Sequence, residues 1–142
     1  MSSDILKPGR EGLEVPMWPF DRKPKQSEGK KFRLSREQIR PLALGRGGAI
    51  ASDRITVDGK LVGYMYRSAS RNPQDSGWAF LAGDEDDNYM ADSSRHAIYD
   101  VNTIANYDPE IIALLDAPVG SAFLRGPSGL VADPQGAPLD AD

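Results

Sequence analysis

The chain has 142 residues, of which 39% are hydrophobic and 27% are charged, a composition that suits one domain with a modest core. It contains no cysteine, which excludes disulfides and thiolate metal sites, and no apolar run approaches the roughly 20 residues that cross a bilayer. The N-terminal residues also lack an apolar core of signal-peptide length, so we expect a cytoplasmic protein without a membrane segment.

The net charge of −4 conceals a separation of charge along the chain. Residues 1–74 carry a net charge of +7, whereas residues 75–116 carry a net charge of −9. Such asymmetry sets the long-range field and the choice of partner. Eight Lys or Arg lie between Arg22 and Arg40, but only Phe32 interleaves them as an aromatic residue. A solvated linker is therefore favoured over an arm that binds nucleic acid.

The prolines concentrate at the two ends of the chain. Four of the eleven lie in residues 1–31 and three in the last sixteen residues. We predict a folded domain over residues 32–126, preceded by a basic, proline-rich disordered tail at 1–31 and followed by a second disordered tail at 127–142. Trp18 and Phe20, in the first tail, are expected either to dock on a partner or to pack back on the domain.

The first predicted elements are a short helix and a β-hairpin. Ser35 and Gln38 have the spacing of a capping box, and Pro41 keeps the helix short. Further on, AIASDRITV and LVGYMYR alternate as strands do, the first with Ile55 and Val57 on one side and the second with Val62, Tyr64 and Tyr66 on one face. The intervening Asp58-Gly59 tolerates positive φ and predicts the hairpin turn.

The second half of the domain alternates strands with turns and one capped helix. GWAFLA predicts a strand that places Trp78 and Phe80 on a common face, and a short strand is predicted at 97–101. Asn102 can cap a turn, and Asp108-Pro109-Glu110 is a typical helix start. VGSAFLR is predicted to be the last strand and to close the domain. This order predicts an α+β fold, with a mostly antiparallel sheet and one or two short helices.

An acidic segment follows the tryptophan strand and places five carboxylates within nine residues: Asp84, Glu85, Asp86, Asp87 and Asp92. An EF-hand is disfavoured, because Tyr89 stands where that loop requires glycine and Arg95 where it requires glutamate. Clustered oxygens can still hold Ca²⁺ or Mg²⁺ in a looser way. A metal-binding module or metal-dependent enzyme that uses residues 84–92 is therefore the alternative function.

The sequence carries no recognised catalytic motif. It has one histidine, His96, no cysteine, and none of the GxSxG, HExxH or Walker patterns. His96 lies at a loop end, where a surface or capping role is more common than that of a general base. We predict a protein that is not an enzyme and that needs no cofactor and no metal.

An aromatic strand beside an acidic segment is also typical of a face that binds another protein, with an anchor surrounded by charge. The residues predicted to bind a partner are Trp78, Asp84, Glu85, Asp86, Asp87 and Tyr89. The predicted partner is a basic protein, because an acidic surface speeds its association.

Four segments together resemble the bacterial immunity protein 33-like family: GGAIASDRITVDGKLVGYMYR, SGWAFLAGDEDDNYM, IYDVNTIANYDPEIIALLD and PVGSAFLR. The resemblance covers about residues 32–125. It implies an α+β domain that binds and neutralises a toxin of a bacterial polymorphic toxin system, with no catalytic residues to carry over. The positions that match the family pattern are Trp78, Gly83, Asp84, Glu85, Tyr99, Asp100 and Asn102, and we expect a shared site or a shared architecture there.

Overall fold

The computed structural model describes residues 30–138, so the predicted N-terminal tail lies outside the described residues except for Lys30 and Lys31, and so do Trp18 and Phe20. The described chain forms one six-stranded sheet with the strand order β4-β1-β3-β2-β5-β6. The strands are β1 (Gly48–Ser52), β2 (Tyr64–Arg67), β3 (Asp75–Leu81), β4 (His96–Asp100), β5 (Ala122–Gly126) and β6 (Gly129–Ala132).

The helices of this domain are all short. The α-helices are α1 (Asp53–Thr56), α2 (Asp87–Ala91) and α3 (Val101–Tyr107), and 3₁₀ helices span Arg36–Gln38, Ser93–Arg95 and Pro109–Leu114. Strands β1 and β3 run parallel, and every other neighbouring pair in the sheet is antiparallel. The predicted α+β fold is confirmed, and the sheet is mixed because of that one parallel pair.

The core lies between one face of the sheet and the segment that contains α3 and the last 3₁₀ helix. Trp78 and Phe80 project from β3 into this core, with ring centroids 6.1 Å apart and nearly parallel planes. Their common face was predicted from alternation and is confirmed. Met65 on β2 and Ile104 on α3 are fully buried in the same cluster. Burial of these large side chains is the main favourable term for the domain.

The predicted β-hairpin at Asp58-Gly59 is wrong. The first strand ends at Ser52, and Ile55 is a buried residue of α1 instead of a strand residue. Gly59 ends the helical turn: its φ is +80°, and its N–H donates to the carbonyl of Ile55 at 3.1 Å. Glycine with positive φ is common both after helices and in hairpins, so the Asp-Gly signal does not distinguish them. Strand β1 pairs with β3 and β4 instead.

Of the three helix starts predicted from the sequence, two are confirmed and one is wrong. The side chain of Gln38 accepts from the N–H of Ser35 at 2.8 Å, as a capping box predicts. The Asp108 carboxylate caps the 3₁₀ helix Pro109–Leu114 by accepting from the Glu110 N–H at 3.1 Å. The cap predicted at Asn102 is wrong, because Asp100 caps α3 and Asn102 lies inside that helix.

The sheet continues beyond the predicted boundary at residue 126. Strand β6 lies within residues 127–138 and pairs antiparallel with β5, so VGSAFLR does not contain the last strand. The turn between the two strands is short, with Gly126 opposite Gly129. Proline and glycine content suggested a tail here. Strand β6 nevertheless forms with only a few apolar residues, such as Leu130 and Val131, because it pairs with the edge of an existing sheet.

Candidate functional site

The acidic segment is an ordered turn followed by a helix. Gly83 has a φ of +100°, which lets the chain turn directly after β3. Asp86 then caps α2, because its carboxylate accepts from the N–H of Tyr89 at 2.8 Å. An aspartate at the N-cap is a strong helix-start signal. The segment therefore has a local reason to fold as it does.

Glu85 points inwards and holds the turn together. Its carboxylate accepts from the N–H groups of Ala82 and Gly83, at 2.8 and 2.9 Å. It also accepts from the hydroxyl of Ser52 at 2.6 Å, which ties the turn to the end of β1. Three hydrogen bonds to one carboxylate make Glu85 a structural residue of the acidic segment.

Asp84 is exposed but lies between two cations. The ammonium of Lys60 is 2.8 Å from its carboxylate, and the guanidinium of Arg54 is 3.3 Å away. The hydrogen bond from Lys60, followed by the charge of Arg54, holds the pKa of Asp84 below its usual range. Asp84 is thus largely neutralised by residues that precede it by 24 to 30 positions in the chain.

Tyr89 faces cations as well. The guanidinium carbons of Arg54 and Arg95 lie 4.8 and 5.5 Å from the centre of its ring, both within cation-π range. The ring also meets the imidazole of His96 edge-on, at 5.7 Å between centroids. Burial and nearby carboxylates raise the pKa of Tyr89 to about 12. Tyr89 therefore joins α2 to β4 and is half-buried.

The last acid of the segment, Asp92, is also engaged. Its carboxylate accepts from the N–H and hydroxyl of Ser94, at 3.0 and 2.6 Å, and the guanidinium of Arg95 lies 3.5 Å away. These contacts, the Ser94 hydroxyl first, lower the pKa of Asp92. Its carbonyl lies 3.1 Å from Nδ1 of His96. His96 is fully buried, so its predicted surface role is wrong, but it occupies the C-cap of the 3₁₀ helix Ser93–Arg95, as the capping alternative predicted.

Asp86 and Asp87 remain as the acids of the segment without a cation beside them. Both are exposed, and no salt bridge involves either one among residues 30–138. Asp86 uses one oxygen to cap α2, and Asp87 occupies the first turn of that helix. The uncompensated charge of the acidic segment is therefore concentrated at the start of α2.

Trp78 does not lie beside these acids on the surface. It is 2% exposed, and its indole N–H donates to the carbonyl of Leu115 at 3.2 Å. The guanidinium of Arg67 lies 5.7 Å from the ring centre and donates to the carbonyl of Ala117. The structure places Trp78 in the core, on the helix-covered face of the sheet.

The remaining motif residues lie at the opposite end of β4 from α2. The Tyr99 hydroxyl is 3.2 Å from the Thr56 hydroxyl, and burial raises the pKa of Tyr99 to about 12. Asp100 caps α3 by accepting from the N–H of Asn102. The Asn102 side chain accepts from the N–H groups of Leu42 and Ala43, both at 2.7 Å. In this chain, these three residues thus make contacts that hold the fold together.

A surface that sequence reasoning missed is the second face of the sheet. Ile98 and Leu124 are each 44% exposed and Val131 is 54% exposed, although all three lie in strands. Tyr64 and Tyr66 are half-buried, with ring centroids 5.6 Å apart. The alternation in LVGYMYR grouped the two tyrosines opposite buried Met65. It also placed Val62 with the tyrosines, which is wrong, because Val62 precedes β2 and is fully buried in the core.

Among residues 30–138, no group of three His, Asp or Glu side chains is placed to hold a metal ion. Within the same range, no helix is long and apolar enough to cross a membrane.

Comparison with known proteins identifies the domain. Residues 49–133 match the family model described as the immunity protein Imm33 domain. Neither the curated proteins nor the solved structures gave a match. The family match covers more than half of the chain, from β1 to the end of β6, and agrees with the resemblance seen in the sequence. The chain therefore belongs to the Imm33 immunity protein domain family.

Proposed function

We propose that this protein neutralises a bacterial toxin by binding it, without catalysis, and that its acidic segment faces a basic surface of that toxin. An immunity protein domain implies a toxin as partner. The observation that supports the basic partner is the exposed pair Asp86 and Asp87 at the start of α2, which no cation of the described chain neutralises.

Only some of the carboxylates in the acidic segment carry charge that is free to attract a partner. Asp84 and Asp92 are compensated by Lys60, Arg54 and Arg95, and Glu85 is occupied by hydrogen bonds. Exposed charges speed association more than they add affinity, and salt screens them. Asp87 is the informative residue, because it has no capping bond and its replacement leaves the helix start intact.

Co-expression tests the inhibitor function directly. A candidate toxin domain, encoded by a gene that neighbours this one, is expressed in a bacterial host with and without the protein. Survival only in the presence of the protein supports the proposal, whereas equal killing in both cases overturns it. The same pair of proteins, once purified, supplies the material for the kinetic test of the acidic segment.

The kinetic test uses Asp87→Lys and a matched charge reversal, Glu37→Lys. Glu37 is exposed in the 3₁₀ helix Arg36–Gln38, in a segment that is hydrogen-bonded to α3. We expect Asp87→Lys to lower the association rate constant by about 3-fold to 10-fold at low salt, and less at high salt. Glu37→Lys should leave the constant unchanged. Equal effects of the two variants would show that the acidic segment is not part of the interface.

A further inference from the structure

A cleft lies at the end of the sheet where β1 and β3 begin. Its volume is about 290 Å³, near the lower end of the range of about 300 to 1,000 Å³ that is usual for small-molecule sites. The lining combines apolar and polar groups: Leu44, Gly45, Arg46, Arg67, Ser76, Trp78 and Leu115. We call these seven residues the arginine cleft. Two of its side chains are guanidiniums and none is a carboxylate, so the lining carries two positive charges.

Arg67 is held in place by backbone carbonyls. Its Nε–H donates to the carbonyl of Ser76 at 3.0 Å, and its Nη1 donates to the carbonyl of Ala117 at 2.8 Å. The guanidinium also lies 5.7 Å from the centre of the Trp78 ring. These partners orient the guanidinium but carry no negative charge, and its Nη2 makes no hydrogen bond within residues 30–138. Arg67 therefore presents an oriented cation to the cleft before any ligand arrives.

Arg46 supplies the second cation, on the loop before β1. Gly47 fixes this loop: its φ is +93°, its carbonyl accepts from the N–H of Val101 at 2.9 Å, and a Cβ there would lie 2.6 Å from the carbonyl oxygen of Gln74. Only glycine fits such a position. The Arg46 side chain is 36% exposed and pairs with Asp116, whose side chain is 87% exposed. Exposed ion pairs contribute little to stability, so Arg46 can exchange this partner for another carboxylate at little cost.

Asp116 shows which chemical group the rim of the cleft favours. Its carboxylate accepts from the guanidinium of Arg46 at 2.5 Å. That hydrogen bond, followed by the charges of Arg46 and Arg67, lowers the pKa of Asp116. Both arginines therefore stabilise the charged form of a carboxylate that lies at this rim.

We propose that the arginine cleft binds a carboxylate that carries a short apolar stem. The carboxylate contacts Arg46 and Arg67, because planar guanidiniums bind carboxylates through paired N–H groups. The stem packs against Leu44, which is 66% exposed and also lines the cleft. Phosphate has no apolar part to cover Leu44, and a cationic ligand is repelled by both arginines.

The arginine cleft is separate from the acidic segment. Strands β1 and β3 run parallel and both begin at the cleft, whereas they end at Ser52 and Leu81, where the acidic segment follows. The seven residues of β3, at about 3.3 Å each, separate the two sites by about 20 Å. Binding at the cleft is thus independent of the proposed function. The carboxylate has two possible sources, a free organic acid and a side chain of the toxin domain.

The experiment follows the indole N–H signal of Trp78 by NMR while the full chain is titrated with hexanoate at low salt. Trp18 is the other tryptophan of the chain, and a Trp18→Phe background assigns the signal. Trp78 is a local reporter, because its indole N–H donates to the carbonyl of Leu115 and both residues line the cleft. Hexanamide has a similar stem without the charge, and inorganic phosphate has charge without the stem.

Three variants test the role of the charges. Arg46→Met removes the exposed cation, Asp116→Asn removes the carboxylate that competes for it, and Arg36→Met is the matched control. Arg36 is exposed in the 3₁₀ helix Arg36–Gln38 and forms no ion pair within residues 30–138. We expect Arg46→Met to weaken hexanoate binding at least about 5-fold and Asp116→Asn to tighten it about 2-fold to 5-fold. Arg36→Met should leave it unchanged.

A saturable shift of the Trp78 signal with hexanoate, and a much weaker shift with hexanamide, supports the carboxylate site. Three results overturn it: no saturable shift up to about 50 mM hexanoate, binding of phosphate at lower concentrations than hexanoate, or equal affinity in the unchanged chain, Arg46→Met and Asp116→Asn.

Once hexanoate binding is established, competition with the toxin domain separates the two sources of the carboxylate. Loss of toxin binding at saturating hexanoate identifies a carboxylate of the toxin domain as the ligand. Unchanged toxin binding leaves a free organic acid as the ligand. If the chain binds hexanoate but no toxin domain, the arginine cleft stands as a carboxylate site while the proposed function fails.

Discussion

The guanidinium of Arg125 lies 2.6 Å from the buried carboxylate of Asp108, and this pair joins β5 to the start of the last 3₁₀ helix. The same carboxylate oxygen accepts from the N–H of Val62, and Arg125 also donates to the Val62 carbonyl at 2.8 Å. Asp108 is 2% exposed, so its charge is compensated by these contacts instead of by water.

Replacement of Arg125 by methionine should therefore be strongly destabilising. Arg125→Met keeps an apolar stem but leaves the carboxylate of Asp108 buried without a cation, which typically costs about 3 to 5 kcal/mol. The expected result is a lower free energy of unfolding in a urea titration. Arg46→Met is the control, because it breaks the exposed ion pair with Asp116. Equal midpoints for the two variants would contradict this role of Arg125.

The side-chain amide of Asn102 should also contribute to the stability of the domain. Its oxygen accepts from the N–H groups of Leu42 and Ala43, and its nitrogen donates to the carbonyl of Arg40. Asn102→Ala leaves the N–H of Ala43 unpaired, whereas the Arg40 carbonyl still accepts from Asn106 and from the N–H of Leu42, and the change should lower stability by about 1 to 3 kcal/mol. Asn102→Asp keeps the acceptor oxygen, so it should lose less stability than Asn102→Ala does. Hydrogen exchange at Ala43 gives a local readout, and unchanged protection there would count against the bridge.

Variants at Glu85 and Asp87 should distinguish a residue that stabilises the fold from one that contacts the partner. Glu85→Ala removes hydrogen bonds to Ala82, Gly83 and Ser52, so we expect the free energy of unfolding to fall by about 1 to 3 kcal/mol. Asp87→Asn should leave stability unchanged and slow association with the toxin domain, because Asp87 is exposed and makes no side-chain hydrogen bond in the described chain. The opposite pattern, with a stable Glu85→Ala and an unstable Asp87→Asn, would refute the assignment.

The buried imidazole of His96 should make stability depend on pH. Burial lowers the pKa of His96, and the carbonyl of Asp92 and the charges of Asp53 and Glu85 oppose this only in part. Lys30 adds to the lowering. Below the unfolded pKa of about 6.5, the unfolded chain therefore binds a proton that the folded chain resists.

The expected result is a loss of stability as the pH falls below about 6.5, with a slope of at most about 1.4 kcal/mol per pH unit from this one group. The carbonyl of Asp92 can only accept, so Nδ1 donates, and His96→Asn keeps such a donor. This variant should have a flatter profile between pH 5 and 7. Asp84 and Asp92 have lowered pKa values and act only in more acidic solution. An unchanged profile in His96→Asn would exclude the histidine as the cause.

Local signals in the sequence determined several elements of this protein. Asp108-Pro109-Glu110 starts a helix because the cap, the proline and the acid act within one turn. Trp78 and Phe80 share a face because side chains alternate with a period of two in any strand. The family pattern was equally readable, and its match confirmed it.

Tertiary structure alone decided what surrounds each of these residues. Asp58-Gly59 suits a hairpin and a helix end equally, and the pairing of β1 with β3 and β4 selected the second. The acids of the predicted site looked alike in sequence. In the structure, Arg54 and Lys60 neutralise Asp84, although they precede it by more than twenty residues. The exposure of Ile98 and Leu124 likewise depends on which side of the sheet the helices cover, because alternation separates two faces without saying which one is buried.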